Sequence, residues 1–338
     1  MMEDSIIDDL IDSEFKEDKE FENLLKVINR LIIFRILILI IGVLLLLGGL
    51  LKYTLFDLKT NQKNNLTINM IISFLIIGIG FILIVIYGLS RFYNFGFFNS
   101  FKKIANLQFK NDRMTRLYNG ILFNSSYSNL INDIKFIYNN STISFYSNER
   151  KFNNTSFDDK KNSVNNIIFN FKNKNSLFFI NDPYKTVRSN GKTTRVDYTI
   201  IYELYYKNDK FDESYNNIVV SKGTKFDKNY QTESELFNRK YDINLKSNDI
   251  RAAMFLTPKL IDKLMSIEND DNFHKLSIYN NFHVVHKKKS TRINDYPLGV
   301  IEYKSINSYK EFKKRLSKKL KRDLNLIINS LVYVESIY

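Results

Sequence analysis

Cysteine and tryptophan are missing from this chain, and proline (3), histidine (3) and glycine (11) are scarce across its 338 residues. Without cysteine there can be no disulfide, no thiolate metal site, no Cys nucleophile and no lipid-modified Cys at a lipoprotein signal. The three histidines are His274, His283 and His286. The last two stand three apart on a predicted strand, which sends them to opposite faces and away from a shared ion. The signatures of a P-loop, a dinucleotide fold, a nucleophile elbow and an H-E-x-x-H metalloprotease are all absent. Asp158 and Asp159 are adjacent acids, but Lys160 and Lys161 follow at once in an Asn-rich stretch, which reads as a solvated loop. Glu203 lies inside an apolar strand pattern, where a buried carboxylate needs a partner, although a lone acid on a strand more commonly marks an edge or surface position. No catalytic residue, cofactor-binding residue or metal ligand is assigned, and no cofactor is expected.

Charge is also scarce in two long stretches. Leu31 to Leu51 is apolar or Gly apart from Arg35, and Asn64 to Ser90 carries no charge at all. A span of the hydrocarbon core takes about 20 predominantly apolar residues, and both runs reach that length. They predict a two-helix transmembrane hairpin over 31–90, with spans at about 31–52 and 66–89. The first thirty residues do not read as a secretory signal, because acids precede the apolar run and no small-residue cleavage site follows. Bases near the span ends favour both termini on the cytoplasmic side of the cell membrane. Lys16, Lys19, Lys26 and Arg30 flank the first span, and Arg91, Lys102 and Lys103 follow the second, against Lys52, Lys59 and Lys63 in the connector. Gly42, Gly48, Gly49, Gly78 and Gly80 offer close approach of the two helices. With no internal acid and no broken segment, the hairpin reads as an anchor rather than a pore.

The net charge is +14, unevenly spread: residues 1–30 carry −6, residues 31–90 carry +3 and residues 91–338 carry +17. This divides the chain into an acidic cytoplasmic N-terminal segment (1–30), the hairpin (31–90) and a basic cytoplasmic domain (91–338). The Lys, Asn and Ile excess fits an AT-rich bacterial genome. Phe and Tyr are plentiful (28 and 21), so the soluble part can bury a real core.

Beyond the hairpin, Phe97, Phe101, Ile104 and Ala105 fall on one helical face. Phe123, Tyr127, Leu130, Ile131, Ile134 and Ile137 follow helical steps as well, with Ser125 or Ser126 as a cap. Strand-like runs occupy Thr142–Tyr146, Val164–Lys172, Ser176–Ile180, Tyr198–Tyr206 and Asn217–Val220. Tyr198–Tyr206 is β-branched or aromatic on both faces and predicts a central strand. Ser247–Asp249 opens a helix at Ile250, and Thr257-Pro258 opens another carrying Leu260, Ile261, Leu264 and Met265. Asn280-Asn281 joins Leu276–Tyr279 to Phe282–His286 as a hairpin. A long final helix aligns Phe312, Leu316, Leu320, Leu324, Ile327, Ile328 and Leu331. Helices and strands are segregated, so the fold class is α+β: the transmembrane hairpin plus a mostly antiparallel sheet flanked by helices.

The segment Phe237–Leu264, FNRKYDINLKSNDIRAAMFLTPKLIDKL, followed by LSIYNNFHVVH, resembles a bacterial two-span membrane family known as domain of unknown function 3137. The family motif is a strand of the form F-x-V-Y-S-x-D running into A-x-x-L-L-T-P. Tyr241, Ile243, Leu245, Ser247, Asp249, Ala252, Phe255, Leu256, Thr257 and Pro258 stand at its places, while Asn244 and Lys246 depart from it. The resemblance covers the general layout and about fifty residues. It implies a two-span architecture and brings no activity.

One surface signature remains. Lys310 to Arg322 holds eight bases against Glu311, with Phe312, Leu316 and Leu320 in register opposite. A basic amphipathic helix can lie on an anionic leaflet, and Lys313, Lys314, Lys318, Lys319, Lys321 and Arg322 are the residues expected at the lipid. The plain alternative is a helix packed on its own domain with a solvated Lys face. Together these features predict a membrane-anchored interaction or scaffold protein. Its expected partners are the membrane itself, anionic lipid and a protein, with nucleic acid disfavoured. The alternatives are a membrane-associated enzyme whose site is not legible, or an accessory subunit of a transport or envelope complex.

Overall fold

The computed structural model describes residues 4–57, 63–93, 98–138, 165–180, 184–189, 191, 194–207, 209–223, 226–227, 230–266, 273–279, 282–291, 298–302 and 306–337. The expected strand at Thr142–Tyr146 and the Asp158-Asp159 pair lie outside them. The fold is α+β, as the patterning requires. The chain divides into two compact units: residues 15–107 with 303–312, and residues 1–14 with 108–302 and 313–338.

The first of these is built on the hairpin. Helix α2 (Lys19–Lys52) starts at Asp18, whose carboxylate accepts from the Glu20 and Phe21 amides. At 34 residues it is about 51 Å long, more than the hydrocarbon core requires. A π turn (Tyr53–Asp57) follows, and α3 (Lys63–Tyr93) returns alongside α2. Within these helices, segments 19–55 and 69–90 are long and apolar enough to cross a membrane, with mean hydropathies of 3.1 and 2.9. Their large side chains point outward: Phe34, Leu44 and Phe81 are all at least 60 % exposed. What the seam buries is small. Among the described residues its buried positions are Gly42, Gly49, Ser73 and Gly80, in pairs seven apart. That heptad spacing keeps one narrow face of each helix toward the other. A Cβ on Gly80 would lie 2.7 Å from the Leu46 amide nitrogen and 2.8 Å from the Gly42 carbonyl, whereas Gly48 and Gly78 face open space. Helix α4 (Phe98–Leu107) buries Phe101, Ile104 and Ala105 in the same unit, on the face its periodicity indicated. An aromatic cluster completes it. Phe312 meets Phe15 and Phe21 with ring centroids 5.0 and 4.8 Å apart, and Tyr309 stands edge-on to Phe21 at 5.6 Å.

The second unit is organised by an antiparallel sheet. Its order is β1 (Ile131–Ile137), β2 (Asn166–Phe171), β3 (Lys174–Ile180), β5 (Thr194–Lys207), β9 (Phe282–Thr291), β8 (Phe273–Tyr279), β6 (Val219–Lys222) and β7 (Tyr241–Ile243), with β4 (Tyr184–Ser189) also on β5. β5 is central. It pairs with β9 through Tyr198–Lys207, and β3 and β4 lie end to end on its other edge. Both faces of its core stretch are buried: Tyr202, Leu204 and Tyr206 on one side, Glu203 and Tyr205 on the other. Strands β8 and β9 form the expected hairpin, with Tyr279 opposite Phe282.

One expectation fails. The apolar positions at 131, 134 and 137 belong to strand β1 and not to a helix; the helix lies earlier, as α5 (Arg113–Phe123), burying Met114, Leu117, Tyr118, Ile121 and Leu122. The β1–β2 register slips between Asn132 and Lys135, where Asp133 takes φ +53°. That bulge breaks the two-residue alternation and leaves apolar side chains three apart, which imitates a helix. Ser125 does not open a helix either. Its hydroxyl donates to the Leu122 carbonyl at the exit of α5.

Around the sheet, Asp4–Phe15 forms helix α1, which buries Ile7 and Ile11 in this unit. Glu14 receives two bonds from the Arg116 guanidinium, and Leu10 lies on Gly120 of α5. Two short helices follow β6. In α6 (Glu235–Lys240) Ser234 caps the first turn, and in α7 (Ile250–Phe255) Asp249 does so. Thr257 Oγ accepts from the Leu260 amide to open α8 (Pro258–Ser266), which buries Leu260 and Leu264. Helix α9 (Tyr309–Ile337) begins at Ser308, whose hydroxyl accepts from the Glu311 amide. Phe312, Leu316, Leu320, Leu324, Ile327 and Leu331 are all buried along it.

Candidate functional site

The basic stretch of α9 is not one solvated face. Lys319 is buried, its side chain 5 % exposed, and its Nζ lies 2.8 Å from Asp323 Oδ1. Lys319 is therefore unavailable to a leaflet, a correction to the expected contact set. It stands three residues after Leu316 and seven after Phe312, at the border of the apolar stripe, and the domain surrounds more of α9 than that stripe. Asp323 has no exposure. It also accepts from the Tyr118 hydroxyl at 2.8 Å and the Gly299 amide at 3.2 Å, with Arg322 Nε at 3.7 Å. Burial, reinforced by the neighbouring Asp323 charge, pushes the Tyr118 phenol well above its ordinary range. Gly299 has φ +73°, and a Cβ there would lie 2.8 Å from the Phe136 ring, so the turn presenting its amide to Asp323 demands glycine. This cluster pins α9 to α5 and to the Gly299 turn.

The other bases divide sharply. Lys313 pairs with Asp12 of α1 at 2.7 Å, and Arg315 donates to the Glu302 carbonyl. The acidic N-terminal segment thus neutralises part of the basic helix within the chain itself. Lys321 and Arg322 are half-buried, while Lys314 and Lys318 stand exposed. Of the six expected lipid-contact residues, only these last two face fully outward.

A second feature had no sequence signal. Near the C-terminal end of α9, an open groove of about 690 Å³ is lined by Lys172, Lys259, Asp262, Lys263, Ser266 and Glu335, with Val332 as its apolar part. Lys172 and Asn173 form the two-residue turn between β2 and β3, both with positive φ (+49° and +60°). The Lys172 ammonium lies 3.2 Å from Glu335, which also accepts from the Tyr127 hydroxyl at 3.1 Å. Partial burial, followed by the Glu335 charge, pushes the Tyr127 phenol up to about 12. Lys259 and Lys263 lie one turn apart on α8, and neither side chain has an ion-pair partner among the described residues.

A polar row crosses the sheet as well. In register, Glu203 lies opposite His286, His286 opposite Lys275, Lys275 opposite Ser221 and Ser221 opposite Asp242. Glu203 is buried (3 % exposed), so it is not the surface acid that a lone strand carboxylate suggests. Burial pulls the Lys275 ammonium below its ordinary range, while the Glu203 charge acts in the opposite direction. His283 stands opposite Tyr206 and Ile278, away from this row. Among the described residues no three His, Asp or Glu side chains gather as a metal site.

Comparison with family models, with curated proteins and with solved structures finds no match to this chain.

Proposed function

We propose that this protein is a membrane-anchored interaction module. In this reading α2 and α3 hold the sheet domain at the inner face of the cell membrane, with both termini cytoplasmic. The observation that carries it is the exposure of large apolar side chains along both helices, over a seam made of glycine and serine. Such surfaces are stable in lipid and costly in water, at about 25 cal/mol per Å² of apolar area. The layout is also that of the two-span family which Phe237–Leu264 resembles. Lys314 and Lys318 remain as the outward-facing bases for an anionic leaflet, each contributing about 1 kcal/mol near the surface.

Because the chain has no native cysteine, single introduced cysteines report topology cleanly. Thr60→Cys should label in intact cells, and Lys240→Cys only after permeabilisation. The reverse pattern would sink the orientation, and release of the chain by alkaline carbonate would sink the anchor.

An enzyme is the second reading, favoured by one observation: buried Ser221 stands opposite Lys275, whose ammonium is depressed by burial. A depressed lysine can serve as base to a serine. Fluorophosphonate labelling abolished by Ser221→Ala would favour this reading over the module.

A further inference from the structure

We infer that the groove between α8 and the end of α9 binds a phosphate group. The inference is independent of the membrane reading above. Three ammonium groups converge on one concavity, and they differ in their state. Lys172 is fixed: Glu335 holds it, and Tyr127 holds Glu335. Its backbone also sits at positive φ, a conformation that costs a non-glycine residue energy and brings the side chain to the groove from a hairpin tip. Lys259 and Lys263 are uncommitted, although like charges one turn apart on a helix repel. Lys259 further lies in the first turn of α8, at the positive end of the helix dipole, where a cation is disfavoured and an anion favoured. An anion between the two lysines relieves both penalties.

The charge balance narrows the ligand class. Glu335 is matched by Lys172, so the uncommitted charges are Lys259 and Lys263 against Asp262, an excess of one positive charge. The open mouth suits a terminal phosphate carried on a larger molecule. Two sources share this chemistry, a soluble phosphate compound and a phospholipid headgroup.

Native mass spectrometry of the full chain in detergent separates them. One arm titrates inorganic pyrophosphate, and the other supplies phosphatidylglycerol with phosphatidylcholine as control. The unmodified chain should retain pyrophosphate, phosphatidylglycerol or both, and the arm that responds names the source. Lys259→Gln/Lys263→Gln should weaken retention about tenfold, since each exposed charge-assisted contact contributes modestly. Asp262→Asn should strengthen it. Lys135→Gln/Lys246→Gln removes the same charge from exposed positions outside the groove and outside the proposed leaflet contacts, and should leave it unchanged. All five positions are at least partly exposed, so unchanged melting of each variant is expected and separates lost binding from lost folding. The inference is overturned if neither ligand is retained. It is overturned equally if the groove variant matches the unmodified chain, or if both double variants lose retention alike.

Discussion

Asp323→Ala tests the structural core of this domain most directly. The substitution deletes the acceptor shared by Lys319, Tyr118 and the Gly299 amide, and leaves the Lys319 ammonium buried without its anion. Breaking a buried pair from one side costs about 3–5 kcal/mol, because the remaining charge is neither solvated nor neutralised. For a domain of this size that loss lowers the melting midpoint by about 6–20 °C. Lys319→Met should cost less, since Asp323 keeps Tyr118, Gly299 and the nearby Arg322. The informative variant is the double one, Lys319→Met/Asp323→Leu. With both charges gone no stranded ion remains in this cluster, and the variant should recover at least half of the stability that Asp323→Ala loses. The assay is a near-ultraviolet circular dichroism melt of the full chain in detergent, read on its tyrosines because there is no tryptophan. An Asp323→Ala midpoint within about 2 °C of the parent would refute the reasoning, given the cost expected of a stranded charge. So would a double variant no more stable than the single one.

The hairpin seam makes a paired prediction. Gly80→Ala must displace the Leu46 and Gly42 backbone and should cost about 1–3 kcal/mol of helix association. Gly78→Ala faces open space and should be near neutral; an SDS titration read by energy transfer between dyes at positions 30 and 90 distinguishes them. Asp249 carries a pH signature. Its hydrogen bond with the Arg251 side chain holds the carboxyl below its ordinary range, so the stability it confers is complete above the unfolded Asp value and fades as pH falls through the lowered folded one. The melting gap between the parent and Asp249→Ala should therefore be widest near neutrality and close on acidification. A gap that widens in acid would contradict the assignment.

How much of this was legible beforehand follows from what a linear pattern can encode. The two long apolar runs announced both long helices, since about twenty apolar residues have few other uses. Tyr198–Tyr206, apolar on both faces, announced the central strand, and Thr257-Pro258 announced α8, because these patterns are local. β1 was misread because its bulge imposed a false helical period. The first thirty residues read as an acidic tail, yet Ile7 and Ile11 make part of them a packed helix whose Asp12 and Glu14 find cations far along the chain.

The candidate sites separate along the same line. Local spacing already makes α9 basic and amphipathic, and sets a Glu inside an apolar strand. That Lys319 and Asp323 are sealed from solvent, that Glu203 is buried, and that Lys172 of a hairpin tip joins Lys259 and Lys263 of a distant helix in one groove are outcomes of packing between elements. Periodicity states which face of an element a residue occupies. Which partner meets that face depends on contacts across long loops, such as the Tyr118–Asp323 bond over 205 residues, and no local spacing carries that information.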